Sequence, residues 1–458
     1  MPTLDRLAAA GDPRTEPASA VSSIRSPKRV SGAGNDSRAK WFRYYAGFSS
    51  GFVEDAIDYL DLKPGAILLD PWLGTGTTSE IATAKGYQIR GYDLNPATLL
   101  VARARLLATE TAADVSTLVE QISHTYERGV LQPERATKSG IDDPLEQWLQ
   151  PASARAFRVL ESSVAAVASN RSYSSASPIW KNAGRVPPTV AFLYVGLFRT
   201  LRHFISKFQS SNPTWMKVPK GNLRVQLSIQ RIFNRFLSEI THLQDALSSE
   251  TRIMPVVGNR RCAMTQASSM KLPLSSNSVD AVLTSPPYCT RIDYVRATLP
   301  ELAVIRFPNG ESIRRLREQM IGTPTISKGS YDHDRAWGPS CNNFLSKVET
   351  HSSKASSTYY LKYYQQYFAS AFASLREIDR VLNASGQCVL VVQDSYYKDV
   401  LNDLPAIFCE MARGLGWQLN EKIDFHVKRT LAGINPEVKQ YRNDFQAVES
   451  ALIFRKKV

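Results

Sequence analysis

The sequence lacks several features that would place it in familiar classes. It has no uninterrupted apolar run of membrane-spanning length. Its N-terminus carries early acidic residues and no long apolar stretch of the secretory type. The five cysteines never stand in CxxC spacing, and the six histidines show no metal-ligand spacing. We therefore expect a soluble, cytoplasmic protein with no disulfide framework, metal or membrane partner.

Composition and charge suggest what the chain binds. Its 458 residues, 43% of them hydrophobic, suffice for one large domain with insertions or for two domains. The net charge of +14, from 56 Lys+Arg against 42 Asp+Glu, favours a polyanionic partner such as nucleic acid. Residues 1–38 are rich in Ser, Ala, Pro and Arg without periodicity, which predicts a disordered basic arm.

The pattern after this arm predicts half of a doubly wound α/β nucleotide-binding fold. A short apolar run that ends in Asp70 predicts a buried parallel strand. A loop with two glycines, a helix at 79–85 and a second strand that ends at Asp93 follow it. This order of strand, glycine loop, helix, strand and acid assigns residues 39–105 to the cofactor-binding half of a domain.

The remaining chain divides into a helical part and a second half of the sheet. Residues 106–250 are mostly helical in pattern and basic, which predicts an insertion that is a candidate target-recognition region. Residues 251–458 complete the domain, with a polar insertion at about 306–357. The predicted elements there are strands at 278–284, 387–393, 418–428 and 447–455, helices at 359–382 and 401–415, and a turn at 383–386.

The glycine loop predicts a nucleoside site. Gly74 and Gly76 stand at a helix N-terminus, where the backbone can approach a ligand closely. Asp93, 17 positions after Gly76 (93 − 76), ends the next strand, where an acid can accept hydrogen bonds from ribose hydroxyls. No Lys follows Gly76, and Thr77 and Thr78 replace the third glycine of an NAD fingerprint. Both absences disfavour a P-loop and an NAD-type oxidoreductase.

A second motif closes the strand at 278–284 and reads Thr284, Ser285, Pro286, Pro287, Tyr288; we call it the Pro-Pro-Tyr segment. Two prolines remove two N–H donors, so the segment can present bare carbonyl acceptors. A side-chain oxygen and a carbonyl that accept both hydrogens of a base amino group would free its lone pair to attack a sulfonium methyl group. Tyr288 offers a ring on which an extruded base can stack. The alternative is a plain turn after a strand.

Together the two motifs resemble those of the bacterial amino-methyltransferases of DNA. The stretch 70–78 reads DPWLGTGTT and is similar to the cofactor motif of that family, DPFxGxGTT. The Pro-Pro-Tyr segment is similar to its catalytic motif, whose serine form is typical of cytosine-N4 enzymes and whose Asp or Asn form is typical of adenine-N6 enzymes. The resemblance covers about 40–105 and 255–458.

The resemblance implies a Rossmann-like class I methyltransferase sheet, whose last strand at 447–455 is antiparallel, and S-adenosyl-L-methionine as cofactor. It assigns cofactor contacts to Asp70, Pro71, Gly74, Gly76, Thr77, Thr78 and Asp93, and catalysis to Ser285, Pro286, Pro287 and Tyr288. Residues 45–52 would cover the methionine end of the cofactor. The implied partner is duplex DNA with a flipped base, in a restriction-modification or phage-defence setting with a cognate protein.

Some departures leave alternatives open. The family often has an acid for the cofactor adenine before the catalytic strand, whereas residues 265–269 read TQASS. No Pro-Cys pair is present, which disfavours methylation of a pyrimidine ring carbon, and Cys289 is expected to be a packed side chain. Adenine N6, an RNA amino group and a catalytically inactive DNA-binding partner remain alternatives. Residues 212–215, Asn-Pro-Thr-Trp, are either a loop or a DNA contact.

Overall fold

A seven-stranded sheet forms the centre of the protein. The computed structural model describes residues 24–28, 38–44, 47–131, 143–169, 178–210, 215–326, 334–427 and 447–457. The strands are β1 (Ile67–Asp70), β2 (Gln88–Asp93), β3 (Cys262–Gln266), β4 (Val279–Thr284), β5 (Leu382–Gln393), β6 (Ser395–Tyr397), β7 (Val400–Asn402), β8 (Trp417–Val427) and β9 (Ala447–Lys456). The sheet order is β3-β2-β1-β4-β5-β9-β8, and β6 and β7 pair separately as a hairpin.

Strand direction confirms the predicted fold class. β1 pairs in parallel with β2 and β4, β2 with β3, and β4 with β5. β9 is antiparallel to both of its neighbours, β5 and β8, so it lies second from the edge. Parallel strands buried on both faces need continuous apolar runs, which β1 and β4 provide. This is the Rossmann-like methyltransferase fold, with the last strand reversed as expected.

Helices cover both faces of the sheet. They are α1 (Ser50–Leu60), α2 (Thr77–Ala84), α3 (Pro96–Ala104), α4 (Ala112–Leu131), α5 (Pro151–Ser169), α6 (Pro188–Ile205), α7 (Ile229–Ser248), α8 (Tyr294–Ala297), α9 (Leu299–Val304), α10 (Glu311–Gln319), α11 (Pro339–Thr350), α12 (Leu361–Val381) and α13 (Leu404–Gly414). One apolar core joins α1–α7 to one face of the sheet, and a second joins α11–α13 to the other.

The predicted helical insertion at 106–250 consists of α4–α7 and lies between α3 and β3 in the chain. Its buried Phe157, Phe198 and Phe236 belong to the same apolar core as Leu68 of β1 and Ile89 of β2. Because the apolar faces of α4–α7 share a core with α1–α3, the insertion extends the helical layer on that face of the sheet. The helices themselves follow from amphipathic periodicity, which the sequence shows over most of this stretch.

Three local features of the structure differ from what the sequence predicted. Strand β3 was not predicted, because CAMTQ is short and mixes polar with apolar residues. The turn at 383–386 lies inside β5, where the register against β4 shifts and Ser385 takes a positive φ of 62°. The helix at 401–415 begins only at Leu404, after an Asp403 N-cap, because the preceding residues pair as the β6–β7 hairpin.

The predicted disordered arm at 1–38 needs a correction for the part that the structure describes. Ile24 is buried, and Arg25 forms hydrogen-bonded ion pairs with Asp55 and Glu54 of α1. The carbonyl of Pro27 accepts a hydrogen bond from the Ser49 N–H at 2.8 Å. Residues 24–28 are therefore packed on α1, and residues 1–23 and 29–37 lie outside the described residues.

Candidate functional site

A cavity lies at the carboxyl edge of the sheet, where β1 to β5 end. All predicted site residues line it, namely Asp70, Pro71, Gly74, Gly76, Thr77, Thr78 and Asp93 from the cofactor motif and Ser285, Pro286, Pro287 and Tyr288 from the Pro-Pro-Tyr segment. Motifs more than two hundred positions apart therefore meet because the strands that carry them, β1 and β4, are neighbours. Ligands of doubly wound folds bind at this edge.

The glycines of the loop are required by their backbone conformations. Gly74 and Gly76 have φ values of +52° and +79°, which side chains with a Cβ rarely adopt. A Cβ at Gly76 would lie 2.6 Å from the Cβ of Ala102 on α3, so this glycine permits close packing of the loop. A Cβ at Gly74 would meet the Tyr44 ring at 3.3 Å, at the cavity wall.

Asp93 supports the loop as well as facing the cavity. Its Oδ2 accepts a hydrogen bond from the Gly74 N–H at 2.9 Å, and its Oδ1 accepts one from the Asn95 N–H at 2.8 Å. Burial raises the pKa of Asp93 to about 6, and these backbone donors oppose the shift. Each carboxylate oxygen keeps a second lone pair with which it can accept a hydrogen bond from a ligand hydroxyl group.

Asp70 joins the two motifs directly. Its Oδ1 accepts a hydrogen bond from the Thr284 hydroxyl at 2.6 Å and another from the Trp72 N–H at 3.2 Å. Thr284 is the last residue of β4 and precedes Ser285. The Asp70 side chain is buried, and this burial raises its pKa to about 6. The predicted role was a contact near the methionine portion; the observed contacts make Asp70 a bridge between loop and catalytic segment.

A buried ion pair supports the loop from below. Arg105 donates to Glu80 of α2 at 2.6 Å, with both side chains almost fully buried. The same guanidinium donates to the Thr77 hydroxyl at 3.1 Å and to the Thr75 carbonyl at 3.4 Å. The Thr77 hydroxyl therefore accepts a structural hydrogen bond from Arg105, in addition to lining the cavity. This pair fixes the N-terminus of α2 relative to α3.

The chemistry of the wall fits S-adenosylmethionine. The carboxyl groups of Asp70 and Asp93 line the cavity, and Lys28 is the one cationic side chain among its described lining residues. Such a wall disfavours a phosphate-bearing nucleotide and suits a cofactor with sulfonium and ammonium charges and no phosphate. Ser268 and Ser269 after β3 line the region where the family has an acid, so they are the available polar groups there.

Ser285 and Pro286 present hydrogen-bond acceptors to the cavity. The Ser285 hydroxyl donates to the Val391 carbonyl of β5 at 2.9 Å. Because its proton is engaged there, the oxygen's lone pairs remain to accept hydrogen bonds. The Pro286 carbonyl accepts no hydrogen bond from the described part of the chain. The Pro287 carbonyl accepts one from the Tyr367 hydroxyl at 2.8 Å, which fixes the segment from α12.

Tyr288 is tied to Glu449 on β9. The Tyr288 hydroxyl donates to Oε1 of Glu449, whereas Oε2 has no hydrogen-bond partner among the described residues. Burial raises the pKa of Tyr288 well above its ordinary value, and the carboxylate raises it further, so the phenol stays neutral. Burial also raises the pKa of Glu449, against the opposing effects of Tyr288 and of Lys28. The bond holds the Tyr288 ring in the wall.

Sequence reasoning did not identify several residues of the cavity wall. Lys28 stood in a segment predicted to be disordered, and no local pattern marked it. Glu449 carried a usable signal, because it is the one acid in the apolar stretch AVESALIF of β9. Tyr44 and Tyr294 also line the cavity. Of the predicted covering segment 45–52, Gly47 and Phe48 line the cavity, and residues 45–46 lie outside the described residues.

Other groups do not form a competing site. Cys289 is buried, and that burial raises the pKa of its thiol, which opposes formation of a thiolate nucleophile. Within the described ranges, no three His, Cys, Asp or Glu side chains are grouped so that they could hold a metal ion. The helices described above include none that is long and apolar enough to cross a membrane.

Comparisons with known proteins give one informative similarity. No protein-family model matches the chain. Among solved structures it is similar to the rRNA methyltransferase aviRa of Streptomyces viridochromogenes, at 11% identity and a TM-score of 0.28, over 90% of this chain and 86% of that one. The fold assignment rests on strand order and not on that likeness. The chain is 24% identical to the Type II methyltransferase M.BsoBI of Geobacillus stearothermophilus over 305 residues, which are 64% of this chain and 57% of that protein. It thus spans little more than half the length of this relative.

Proposed function

We propose that the protein is an S-adenosylmethionine-dependent DNA methyltransferase that methylates the exocyclic N4 of cytosine. The observation that carries the proposal is the bond from Thr284 to Asp70, which joins the glycine loop and the Pro-Pro-Tyr segment in one cavity. The similarity to a Type II methyltransferase supports methyl transfer. A role in restriction-modification or phage defence, with a cognate protein partner, belongs to the same proposal.

The contacts within the segment explain how an amino group would be activated. Ser285 and the Pro286 carbonyl each offer an acceptor, so together they can take both hydrogens of the target amino group. Two such bonds localise the nitrogen lone pair by removing it from conjugation with the ring. When bound, the cofactor supplies a methyl group activated by its sulfonium. The neutral phenol ring of Tyr288 offers a stacking surface for the extruded base.

The cofactor would be held by groups that lie at or after the carboxyl ends of β1, β2 and β3. The Asp93 oxygens would accept the ribose hydroxyls, and Gly74 and Gly76 leave room for the methionine portion. Ser268 or Ser269 would contact the adenine, where the family often has an acid. No residue of the chain needs to act as a covalent nucleophile in this direct transfer: the bond from sulfur to the methyl carbon would break as the bond from nitrogen forms, and the methylated nitrogen would release one proton to solvent.

Cytosine is preferred because the residue directly before the two prolines is a serine, Ser285, and not Asp or Asn. Adenine N6 and an RNA amino group use the same chemistry and are the alternatives within this class. A catalytically inactive DNA-binding partner is the alternative of another class. The engaged contacts of Asp70, Asp93 and Ser285 argue for a competent site, since a decayed site has no reason to keep them.

The test is product identification. The protein is incubated with unmethylated bacterial genomic DNA and, in a parallel reaction, with total RNA. Both reactions contain S-adenosylmethionine labelled in the methyl group, and the digested nucleosides are analysed by mass spectrometry. We expect labelled N4-methylcytosine. Labelled N6-methyladenine would correct the base but keep the chemistry. Labelled nucleoside in an RNA sample alone would move the substrate to RNA, and no labelled nucleoside in either would overturn the proposal.

A further inference from the structure

The positive charge of the chain is concentrated in one segment. Residues 162–238 contain eleven Lys+Arg and no Asp or Glu, whereas the whole chain has a net charge of +14. The rest of the chain therefore contributes only +3 (14 − 11). A solvated protein surface ordinarily mixes both signs, so an acid-free stretch of this length indicates a surface that meets a polyanion.

Ion pairs sort these cations into two groups. Arg199 and Arg235 both pair with Glu239, and Arg202 pairs with Glu301 of α9. Arg199 and Arg202 fasten α6 to α7 and α9, and Arg235 pairs within α7, so these three arginines are structural. Lys217 and Lys220, by contrast, are exposed and form no ion pair with the described residues. Both lie in the loop between α6 and α7, of which residues 215–224 are here called the basic loop.

The basic loop also exposes apolar side chains. Of the eight large apolar side chains exposed in the described part of the chain, three belong to it: Trp215, Val218 and Leu223, at 40%, 47% and 61% exposure. Such a cluster beside lysines is typical of a surface that is covered in a complex. The combination of cationic and aromatic groups fits nucleic acid, which offers phosphates and flat base or sugar surfaces.

The loop is held rigidly in spite of its exposure. The Lys217 N–H donates to the Phe208 carbonyl at 2.9 Å, and the Lys217 carbonyl accepts from the Trp148 indole at 3.0 Å. The Val225 N–H donates to the Trp148 carbonyl at 2.8 Å, just after the loop. Met216 is buried between the exposed Trp215 and Lys217. The backbone is therefore preorganised, which lowers the entropic cost of binding.

The loop lies beside the cavity. The guanidinium of Arg296 stands 4.0 Å from the centre of the Trp215 ring. Arg296 belongs to the one-turn helix α8, and Tyr294 of the same helix lines the cavity. The distance along α8 between these two residues is only about 3 Å, at 1.5 Å per residue. Helix α8 therefore contacts the cavity through Tyr294 and the basic loop through Arg296.

We infer that the basic loop binds the phosphate backbone of duplex DNA through Lys217 and Lys220 and places Trp215 against the duplex beside the target nucleotide. This inference rests on the proposed function, because it takes DNA as the substrate. For residues 212–215 the sequence left a loop and a DNA contact as alternatives; residues 212–214 lie outside the described residues, and the inference assigns a contact role to Trp215. It also separates the cations that bind DNA from those that hold the fold.

The test is the salt dependence of DNA binding. Affinity for a fluorescein-labelled duplex of mixed sequence is measured by anisotropy over a range of salt concentrations. Each phosphate contact contributes about −0.9 to the slope of log K against log salt, so Lys217→Ala with Lys220→Ala should reduce the slope by about 2. The matched control is Lys347→Ala with Lys354→Ala, which removes two exposed lysines near α11 and should leave the slope unchanged.

A single substitution tests the aromatic contact. Trp215→Ala removes no charge, so the slope should remain that of the wild type while affinity at fixed salt falls about fivefold or more. Equal slopes for the two double variants, with wild-type affinity for Trp215→Ala, would overturn the inference. If the wild type still methylates DNA in that case, the proposed function stands. A wild type with neither salt-dependent duplex binding nor a methylated nucleoside would overturn both.

Discussion

The two walls of the cavity are held in different ways. One wall consists of residues 70–78 and Asp93, and we call it the cofactor wall after its proposed role. It is fixed mainly by contacts close in sequence, such as the bond from the Gly74 N–H to Asp93, 19 positions apart. The Pro-Pro-Tyr segment, which we call the target wall after its proposed role, is fixed by groups from three remote elements: a backbone carbonyl of β5 and side chains of β9 and α12. Ser285 bonds to Val391, 106 positions away, Tyr288 bonds to Glu449, 161 positions away, and Tyr367 of α12 bonds to the Pro287 carbonyl.

This difference should separate the two proposed roles of the cavity, cofactor binding and base capture. The glycine loop is held largely by contacts within residues 70–105, so the proposed cofactor binding should depend less on β5, β9 and α12 than the proposed capture of the base does. The geometry of the target wall depends on β5, β9 and α12 together. The Asp70–Thr284 bond is the direct link between the walls. Substitutions should therefore fall into three classes, affecting both walls, the cofactor wall alone or the target wall alone.

The largest effect is expected from Asp70→Ala, because it removes the link. Two donors, the Thr284 hydroxyl and the Trp72 N–H, lose their acceptor at a buried site. An unsatisfied buried donor costs about 1–3 kcal/mol of folding free energy. Because the loop and the Pro-Pro-Tyr segment also lose their common anchor and shift relative to each other, cofactor affinity and single-turnover rate should each fall at least tenfold. Thr284→Val is the control that removes only the bond to the target wall, and it should leave cofactor affinity close to that of the wild type. Unchanged affinity and rate in Asp70→Ala would show that the walls are independent.

A smaller effect, confined to the cofactor wall, is expected from Asp93→Ala. The substitution removes the acceptor for the ribose hydroxyls and for the Gly74 N–H. Charge-assisted hydrogen bonds contribute about 1.5–3 kcal/mol each, so calorimetric titration should show at least tenfold weaker S-adenosylmethionine binding. Asp93→Asn, which keeps one acceptor oxygen, should lose less. Wild-type affinity in Asp93→Ala would remove this residue from the cofactor site.

Two substitutions of Tyr288 distinguish the role of its ring from the role of its hydroxyl. Tyr288→Ala removes the stacking surface, worth about 1–3 kcal/mol, and should impair capture of the flipped base. Tyr288→Phe keeps the ring and loses only the bond to Glu449, so its effect should be smaller. A fluorescent base analogue at the target position reports the flipped state, and cofactor affinity should not change in either variant. Equal effects of both substitutions would mean that the hydroxyl, and not stacking, is what matters.

The smallest expected effect is a pH dependence of cofactor binding. Burial raises the pKa of Asp93 to about 6, so lowering the pH from 8 to 6 protonates about half of it and should weaken binding about twofold. Asp93→Asn should show a flatter profile in the same calorimetric series. The contribution of Asp93 to the free energy of unfolding changes with pH in the opposite direction to its contribution to cofactor binding. The folded carboxyl binds its proton more tightly than the unfolded one, so this group stabilises the fold as the pH falls from above 6 to about 4.

The sequence predicted the cofactor wall better than the target wall for the same physical reason. Asp70, Gly74, Gly76 and Asp93 belong to a local strand, loop and helix pattern, and the structure places all four in one wall. Their detailed contacts were not predictable, because Asp70 acts through Thr284, more than two hundred positions away.

For the target wall, the chemistry of the Pro-Pro-Tyr segment was readable but its supports were not. No local pattern shows that Val391 or Glu449 will stand opposite this segment, since that depends on the order of β4, β5 and β9 in the sheet. The strand β3 and the β6–β7 hairpin were missed because their short runs mix polar with apolar residues, unlike the equally short but apolar run of β1. Packing of residues 24–28 on α1 is likewise a tertiary effect.

The most direct test of the account is Ser285→Ala, measured for cofactor affinity and for methylation rate in the same preparation. If Ser285 orients the amino group only as methyl transfer begins, turnover on saturating DNA should fall by roughly 10²-fold while calorimetric cofactor affinity stays close to that of the wild type. Wild-type methylation rates in both Ser285→Ala and Tyr288→Ala would contradict the account. The Pro-Pro-Tyr segment would then be a turn after β4, and the chemistry would lie elsewhere.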